Sequence, residues 1–152
     1  MAKKETRTGG QILLRLAFVL YIAAMLWLLF GQRLGTEIYR QNLAESINLT
    51  PFATLRMYWK LLRNSSDPYL VRHAFINLAG NVVMFIPLGF YQPYLLPKLR
   101  SFFKTMLTTV LLILVVEVVQ YVTCLGSCDI DDLLLNLLGA GVGYLLFKLR
   151  RR

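Results

Sequence analysis

The sequence predicts an all-α, polytopic membrane protein with about four transmembrane helices. Three observations lead there. The 152 residues are 57% hydrophobic and 16% charged, and mean hydropathy is +0.54, more apolar surface than one soluble core of this size can hide. Apolar stretches of spanning length recur four times. The charges, net +9, fall between the apolar blocks, where orientation signals sit. A nucleic-acid partner would need that charge on one face of a folded, water-facing body, so none is expected.

The first predicted span covers residues 12–30. Arg15 lies near its start and can snorkel to the headgroups. Leu28, Leu29 and Phe30 precede Gly31 without a small-x-small cleavage pattern, so the segment is expected to be retained, not removed as a signal peptide. The opening Met-Ala-Lys-Lys has neither the glycine nor the cysteine of a lipidation signal. A second span covers 74–94 and contains Pro87, which frees a carbonyl that something nearby must satisfy. The third covers 105–122 and the fourth 133–149, the last slightly short for a perpendicular crossing. The four together form one membrane domain over residues 1–152.

An even number of spans puts both termini on one side. Eleven basic residues then share that side with Glu5 alone: Lys3, Lys4, Arg7, Arg15, Lys98, Arg100, Lys104, Lys148, Arg150, Arg151 and Arg152. The other side holds equal numbers of basic and acidic residues. The expectation is therefore two cytoplasmic termini and a long external connection between spans one and two. A three-span chain with 74–94 re-entrant is the rival, because Asn77, Gly80, Asn81 and Pro87 all interrupt that segment. In the external connection, Asn48 can start a turn and Pro51 favours an extended residue before it. Met57-Tyr58-Trp59 can anchor at headgroup depth. Residues 63–68 read as exposed loop.

Polar residues inside the spans demand a reason. Asn77 and Asn81 are four apart and share a helix face with His73. Glu117 lies about 9 Å of helix rise before Thr123, with Gln120 one turn nearer the external side. A carboxylate at that depth should be neutral, paired or open to a polar cavity; Arg56, Arg63, Arg72 and His73 are the nearest cationic candidates. Asp129, Asp132 and Asn136 follow an i, i+3, i+7 stripe, whereas Asp131 points elsewhere. Aspartates in a first turn also cap orphan N–H groups. The orientation brings all these residues to one depth, as a cavity with Asn81, Glu117 and Asn136 at its floor and Asp129 and Asp132 at its mouth. Structural glue between spans is the competing reading of the asparagines. Gly80, Gly89, Gly139, Gly141 and Gly143 permit close helix contact, with Gly139-x-x-x-Gly143 a packing signal. Cys124 and Cys128 have C-x3-C spacing, which is not the redox spacing; on the external side a short disulfide and two free thiols are both open. Hard cations accept carboxylate and amide oxygens, so a divalent cation is allowed. Nothing demands one, and no cofactor is expected.

The run Gly80-Asn81-Val82-Val83-Met84-Phe85-Ile86-Pro87-Leu88-Gly89-Phe90 resembles the first motif of the VanZ-like membrane proteins. Glu117-Val118-Val119-Gln120 resembles the second, and Asp129-Ile130-Asp131-Asp132 through Asn136, Gly139 and Gly143-Tyr144 the third. Asn48-Leu49-Thr50-Pro51-Phe52 resembles a pattern that precedes the first. The resemblance covers residues 12–149 and implies a bacterial plasma membrane protein. Its recurring polar positions fall on Asn81, Glu117, Gln120, Asp129, Asp132 and Asn136. Many relatives carry an arginine shortly before the third motif, where this chain has Gly126-Ser127-Cys128. The resemblance also implies a role in resistance to teicoplanin-type lipoglycopeptides, without the precursor switch of the classical vancomycin-resistance enzymes.

Three functions follow as expectations. In the first, the protein alters drug engagement with the cell surface or a lipid-linked wall precursor, so its partner is membrane lipid or that precursor. In the second, it is an enzyme acting on an external lipid headgroup. Glu117 is then acid or base, Asp129 and Asp132 orient a cation or hydroxyl, and Asn77, Asn81, Gln120, Asn136, Arg72 and His73 bind substrate. In the third, it is a small-solute transporter working as a homo-oligomer.

Overall fold

The computed structural model describes residues 2–31, 47–123, 125 and 128–151. Five α-helices run through them: α1 (Ala2–Leu29), α2 (Ala53–Asn64), α3 (Pro68–Leu95), α4 (Phe102–Val122) and α5 (Ile130–Arg150). Four of these contain a segment long and apolar enough to cross a membrane: residues 9–29 of α1, and α3, α4 and α5 throughout. The four predicted spans therefore fall on four helices, each somewhat longer than its apolar core.

The chain divides into two compact units, residues 1–36 and 37–152. The first contains α1. Its Ile12, Leu13, Leu16, Val19 and Leu20 are exposed, as a lipid-facing helix requires. Tyr21 donates to the sulfur of Met25, one turn on.

The second unit carries the rest. α3 starts where Asp67 accepts the N–H of Tyr69 and Pro68 occupies the first turn, where a missing N–H costs nothing. It then continues without interruption for 28 residues, through both Pro87 and Pro93. That continuity replaces the re-entrant alternative: the prolines remove two helix bonds without ending the helix. It ends at Leu96, held extended by the following Pro97. A single 3-10 turn, Pro97–Leu99, leads into α4. The Thr105 hydroxyl donates to the carbonyls of Leu99 and Ser101, and the Tyr144 hydroxyl to that of Arg100. The turn is thereby tied to both α4 and α5.

α3 and α5 form a parallel seam. Asn81 pairs with Asp132, Gly139 abuts the Val82 carbonyl and Gly143 the Ile86 carbonyl, and Phe147 meets Phe90 edge-on. Numbers rise together on both helices. A Cβ at Gly89, Gly139 or Gly143 would run into main-chain atoms of the opposing helix, so the Gly139-x-x-x-Gly143 spacing does the packing work expected of it. Gly80 and Gly141 differ from that expectation. Nothing would touch a Cβ at either, and Gly141 instead lines an apolar groove of about 760 Å³ between α4 and α5 with Met106, Val110, Leu137 and Leu138.

α4 is apolar outside and polar inside. Its buried residues are Thr105, Thr109, Ile113, Glu117 and Gln120, one stripe at spacings of three and four. Leu111, Leu114, Val115, Val118 and Val122 are exposed. In lipid this costs nothing at the outer face and places the polar groups where another helix can meet them. The Thr108 and Thr109 hydroxyls return to carbonyls of the preceding turn, and Thr108 also donates to buried Gln92 on α3.

At one end of this unit, two two-residue strands, β1 (Ile47–Asn48) and β2 (Cys128–Asp129), pair in parallel, Ile47 with Cys128 and Asn48 with Asp129. They join the connection before α2 to the start of α5. We call this the strand end.

Candidate functional site

The site at the strand end is built on the first turn of α5. Asp129 is its N-cap. One carboxylate oxygen accepts the N–H of Asp131 at 2.8 Å. The other accepts the Thr54 hydroxyl at 2.5 Å and the Asn48 amide at 3.2 Å. Asn48 in turn accepts the N–H of Thr50, the turn its position suggested. Asp131 reaches the other way. It is fully buried and accepts the N–H of Phe52 at 2.6 Å and of Leu55 at 3.0 Å. A carboxylate from α5 thus caps α2, which has no side-chain cap of its own. Phe52, the residue before α2, is held at φ 64°, a left-handed conformation that a residue with a bulky side chain adopts only when its surroundings impose it.

Asp132, one residue on, turns toward α3 and accepts the Asn81 amide at 2.6 Å. Asn136 follows one turn later on the same stripe, between Asp132 and the glycine that abuts Val82. It therefore faces the α3 side and is only 5% exposed. Its Oδ1 has no hydrogen-bond partner among the described residues. Glu117 and Gln120 of α4 are buried as well, at 6% and 7% exposure.

Electrostatics link these groups. Burial raises the Cys128 thiol above its ordinary pKa, and the charges of Glu117 and Asp129 raise it further. Burial likewise raises the Tyr58 phenol, and Asp132 and Asp129 add to it. Tyr58 thus brings α2 over the aspartates. Its ring meets His73 edge-on, with 6.1 Å between ring centroids, and His73 stacks on Tyr69.

The predicted site residues separate into two groups. Asn81, Asp129, Asp132 and Asn136 lie along one end of the α3–α5 seam, and Glu117 and Gln120 face inward from α4. Asn77 is set apart: its amide approaches the ring and carbonyl of His73, the face-sharing expected four residues apart, and no bond joins it to Asn81. Arg72 and His73 are exposed, and His73 belongs to the aromatic group. Cys128 carries a free thiol; its candidate partner Cys124 lies outside the described residues. No three His, Cys, Asp or Glu side chains converge on a metal position among the described residues.

Three participants escaped the sequence reading in these roles: Asp131, Thr54 and Tyr58. Asp131 does point away from the Asp129–Asp132–Asn136 stripe, yet it is the most deeply buried of the three aspartates. The signal for it was available. Asn48-Leu49-Thr50-Pro51-Phe52 ends at a helix start without a Ser, Thr, Asp or Asn cap, so a cap had to come from elsewhere.

A family model described as VanZ/LLP1 matches residues 18–151. The chain belongs to the VanZ/LLP1 family. The matched span takes in α2 to α5 and every residue of the strand end. This VanZ/LLP1 chain is also 26% identical to Protein VanZ of Enterococcus faecium over 153 aligned residues, 94% of this chain and 78% of that protein. No solved structure matches it.

Proposed function

We propose that this protein contributes to resistance to teicoplanin-type lipoglycopeptides. It would do so by altering how the drug engages the cell surface or a lipid-linked wall precursor. The strand end faces the outside of a bacterial plasma membrane, and both termini face the cytoplasm. Family membership and the similarity to Protein VanZ support the resistance part. The basic residues gathered at the termini and between α3 and α4 support the orientation.

The observation that carries a site is the Asn81–Asp132 hydrogen bond. It joins two apolar helices one turn from the buried amide of Asn136, and Glu117 of α4 is buried as well. Hydrocarbon penalises each of these groups, and Gly139 and Gly143 already pack the seam without them. A polar headgroup held here leaves its lipid tail in the bilayer. The tail of a lipoglycopeptide is an apolar anchor worth about 0.8 kcal/mol per buried methylene, so a small change in how that end of the membrane is occupied is felt by the drug.

Catalysis on such a headgroup is the second reading, favoured by the burial of Glu117. Asp129 fits a holding role better than a reacting one, because both its oxygens accept hydrogen bonds within the fold.

Wild type, Glu117→Gln and Asp132→Asn, expressed at matched membrane levels in a teicoplanin-sensitive Gram-positive host, test both readings. Reduced susceptibility with wild type, lost in both variants without a new lipid species, is the expected result. A new lipid or precursor product with wild type alone moves the assignment to catalysis. Unchanged susceptibility with wild type refutes the resistance role, and full resistance in both variants refutes the acidic site.

A further inference from the structure

We propose that the groove between α4 and α5 seats one acyl chain of an anionic phospholipid, whose phosphate is held by Arg100, Lys104 and Lys148 at the end opposite the strands.

The size and reach of the groove point to a chain. Its volume of about 760 Å³ lies within the range of small-molecule sites, about 300–1,000 Å³, and every side chain that lines it is apolar. On α4 the lining begins at Phe102 and Phe103, where the helix starts, and stops at Val110. On α5 it runs from Leu145 back to Leu134, about 16 Å of helix rise. That is about half of a hydrocarbon core about 30 Å thick, the depth of one leaflet. A spanning helix packed there would need a furrow along the whole core. Gly141 stands within the α5 wall, and nothing lies within 4 Å of where its Cβ would be. The space is open down to the backbone.

Charge sets the headgroup. The rings of Phe102 and Tyr144 meet with 5.3 Å between centroids, and the Tyr144 hydroxyl donates to the Arg100 carbonyl. Arg100 and the start of α4 are therefore level with Tyr144. Lys148 is one turn beyond Tyr144 and seven residues from Gly141, on the groove face of α5. Lys104 is in the first turn of α4. All three cations are exposed. None of them makes an ion pair among the described residues, and residues 68–116 and 133–152 contain no Asp or Glu. Arg150, by contrast, lies over the rings of Phe90 and Tyr94 of α3. Orientation alone asks for cations at this end. It does not ask for an apolar groove that opens between them. A phosphate beside these three groups brings its own acyl chain to the mouth of the groove.

Lipid retention tests this. The full chain is placed in nanodiscs of equimolar phosphatidylglycerol, phosphatidylethanolamine and phosphatidylcholine with identical acyl chains. It is then extracted into mild detergent, and native mass spectrometry reads the lipid that stays bound and the number of protein copies. Wild type is expected to retain one phospholipid per chain, phosphatidylglycerol over each of the others by roughly fivefold, within the reach of charge-assisted phosphate contacts. Gly141→Leu fills the groove and is expected to lose most of that lipid. Gly80→Leu is the control: an added Cβ meets nothing there either, but the residue is on α3, and retention should match wild type. Arg100→Gln, Lys104→Gln and Lys148→Gln together should keep a lipid in the groove and bring the headgroup ratios back to the bulk composition. A wild type that retains no lipid, or all three equally, overturns the proposal. So does retention that Gly141→Leu leaves unchanged, the result if another helix fills the groove. A dimer that Gly141→Leu dissociates, the result if a second copy fills it, overturns the proposal as well. A preference that survives the triple substitution overturns the assigned cations. Teicoplanin is absent throughout, so neither result depends on the resistance role.

Discussion

Asp131→Ala should release α2 from the bundle while leaving the α3–α5 seam intact. The carboxylate is fully buried and accepts two backbone N–H groups, from Phe52 at 2.6 Å and Leu55 at 3.0 Å. Hydrogen bonds to a charged acceptor contribute about 1.5–3 kcal/mol each, which puts the upper bound near 6 kcal/mol. Ordinary N-cap removals cost about 0.5–2 kcal/mol, because water replaces the cap once the helix end is released. The left-handed backbone of Phe52 opposes docking by about 1–2 kcal/mol in wild type and variant alike, so it makes α2 easier to release without enlarging the difference between them. A loss of about 2–4 kcal/mol in α2 docking is the balanced expectation. Amide hydrogen exchange of the protein in detergent micelles measures it. At about 1.4 kcal/mol per factor of ten, the Leu55 amide should exchange roughly 30- to 1,000-fold faster. The amides of Leu88 and Ala140, in the glycine seam, should be unaffected. Leu55 exchange within about threefold of wild type would refute the cross-chain cap. Equal acceleration at Leu88 and Ala140 would refute the locality, because Asp131 would then be supporting the whole bundle.

Three further outcomes are expected. Gly143→Val should destabilise the protein by at least about 1–3 kcal/mol through collision with the Ile86 carbonyl, whereas Gly80→Ala and Gly141→Ala, with nothing near the added carbon, should leave thermal unfolding in detergent within about a degree or two of wild type. Asn81→Ala and Asp132→Ala should each lower stability, with a double-variant loss below the sum by about 0.5–3 kcal/mol, measured as a double-mutant cycle; strict additivity would mean that the 2.6 Å contact contributes nothing. Because the Cys128 thiol is raised by burial and by Glu117 and Asp129, less of it is thiolate at any given pH below that value. In a Cys124→Ser background it should therefore alkylate slowly at pH 8, and Asp129→Asn should speed the reaction; no acceleration would contradict the charge effect.

The spans were legible because hydropathy is a sum over many residues, and four windows exceeded anything a soluble core would need. Gly139 and Gly143 were legible for a related reason: two small residues one turn apart on an apolar helix have few other uses. Asp129, Asp132 and Asn136 could be aligned from helical spacing alone, and Asn81 from the depth set by the charge count. Spacing could not separate Asn77 from Asn81. Both lie on one face of α3, yet α5 passes only the lower of the two. Nor could it distinguish Gly80 from Gly89, since which glycine meets a backbone depends on the crossing point of two helices. The strand pairing was invisible. Two residues have no periodicity, and their partners lie 81 positions away. That Asp131 points away from the stripe was legible, but that it caps α2 was not, because its partners lie 79 and 76 positions away.

That separation orders the assembly of the protein. β1 is synthesised before α3 and α4, but β2 and Asp131 only after both. The Asn48–Asp129 and Phe52–Asp131 contacts therefore cannot form until α3 and α4 have been made and α5 has begun beside α3. Until then α2 has no cap and Phe52 no reason to hold its left-handed turn. A docked α2 is thus a record of completed assembly. A chain arrested after α4 would carry α2 without its cap, whereas in the finished protein two carboxylates from the start of α5 hold its first turn.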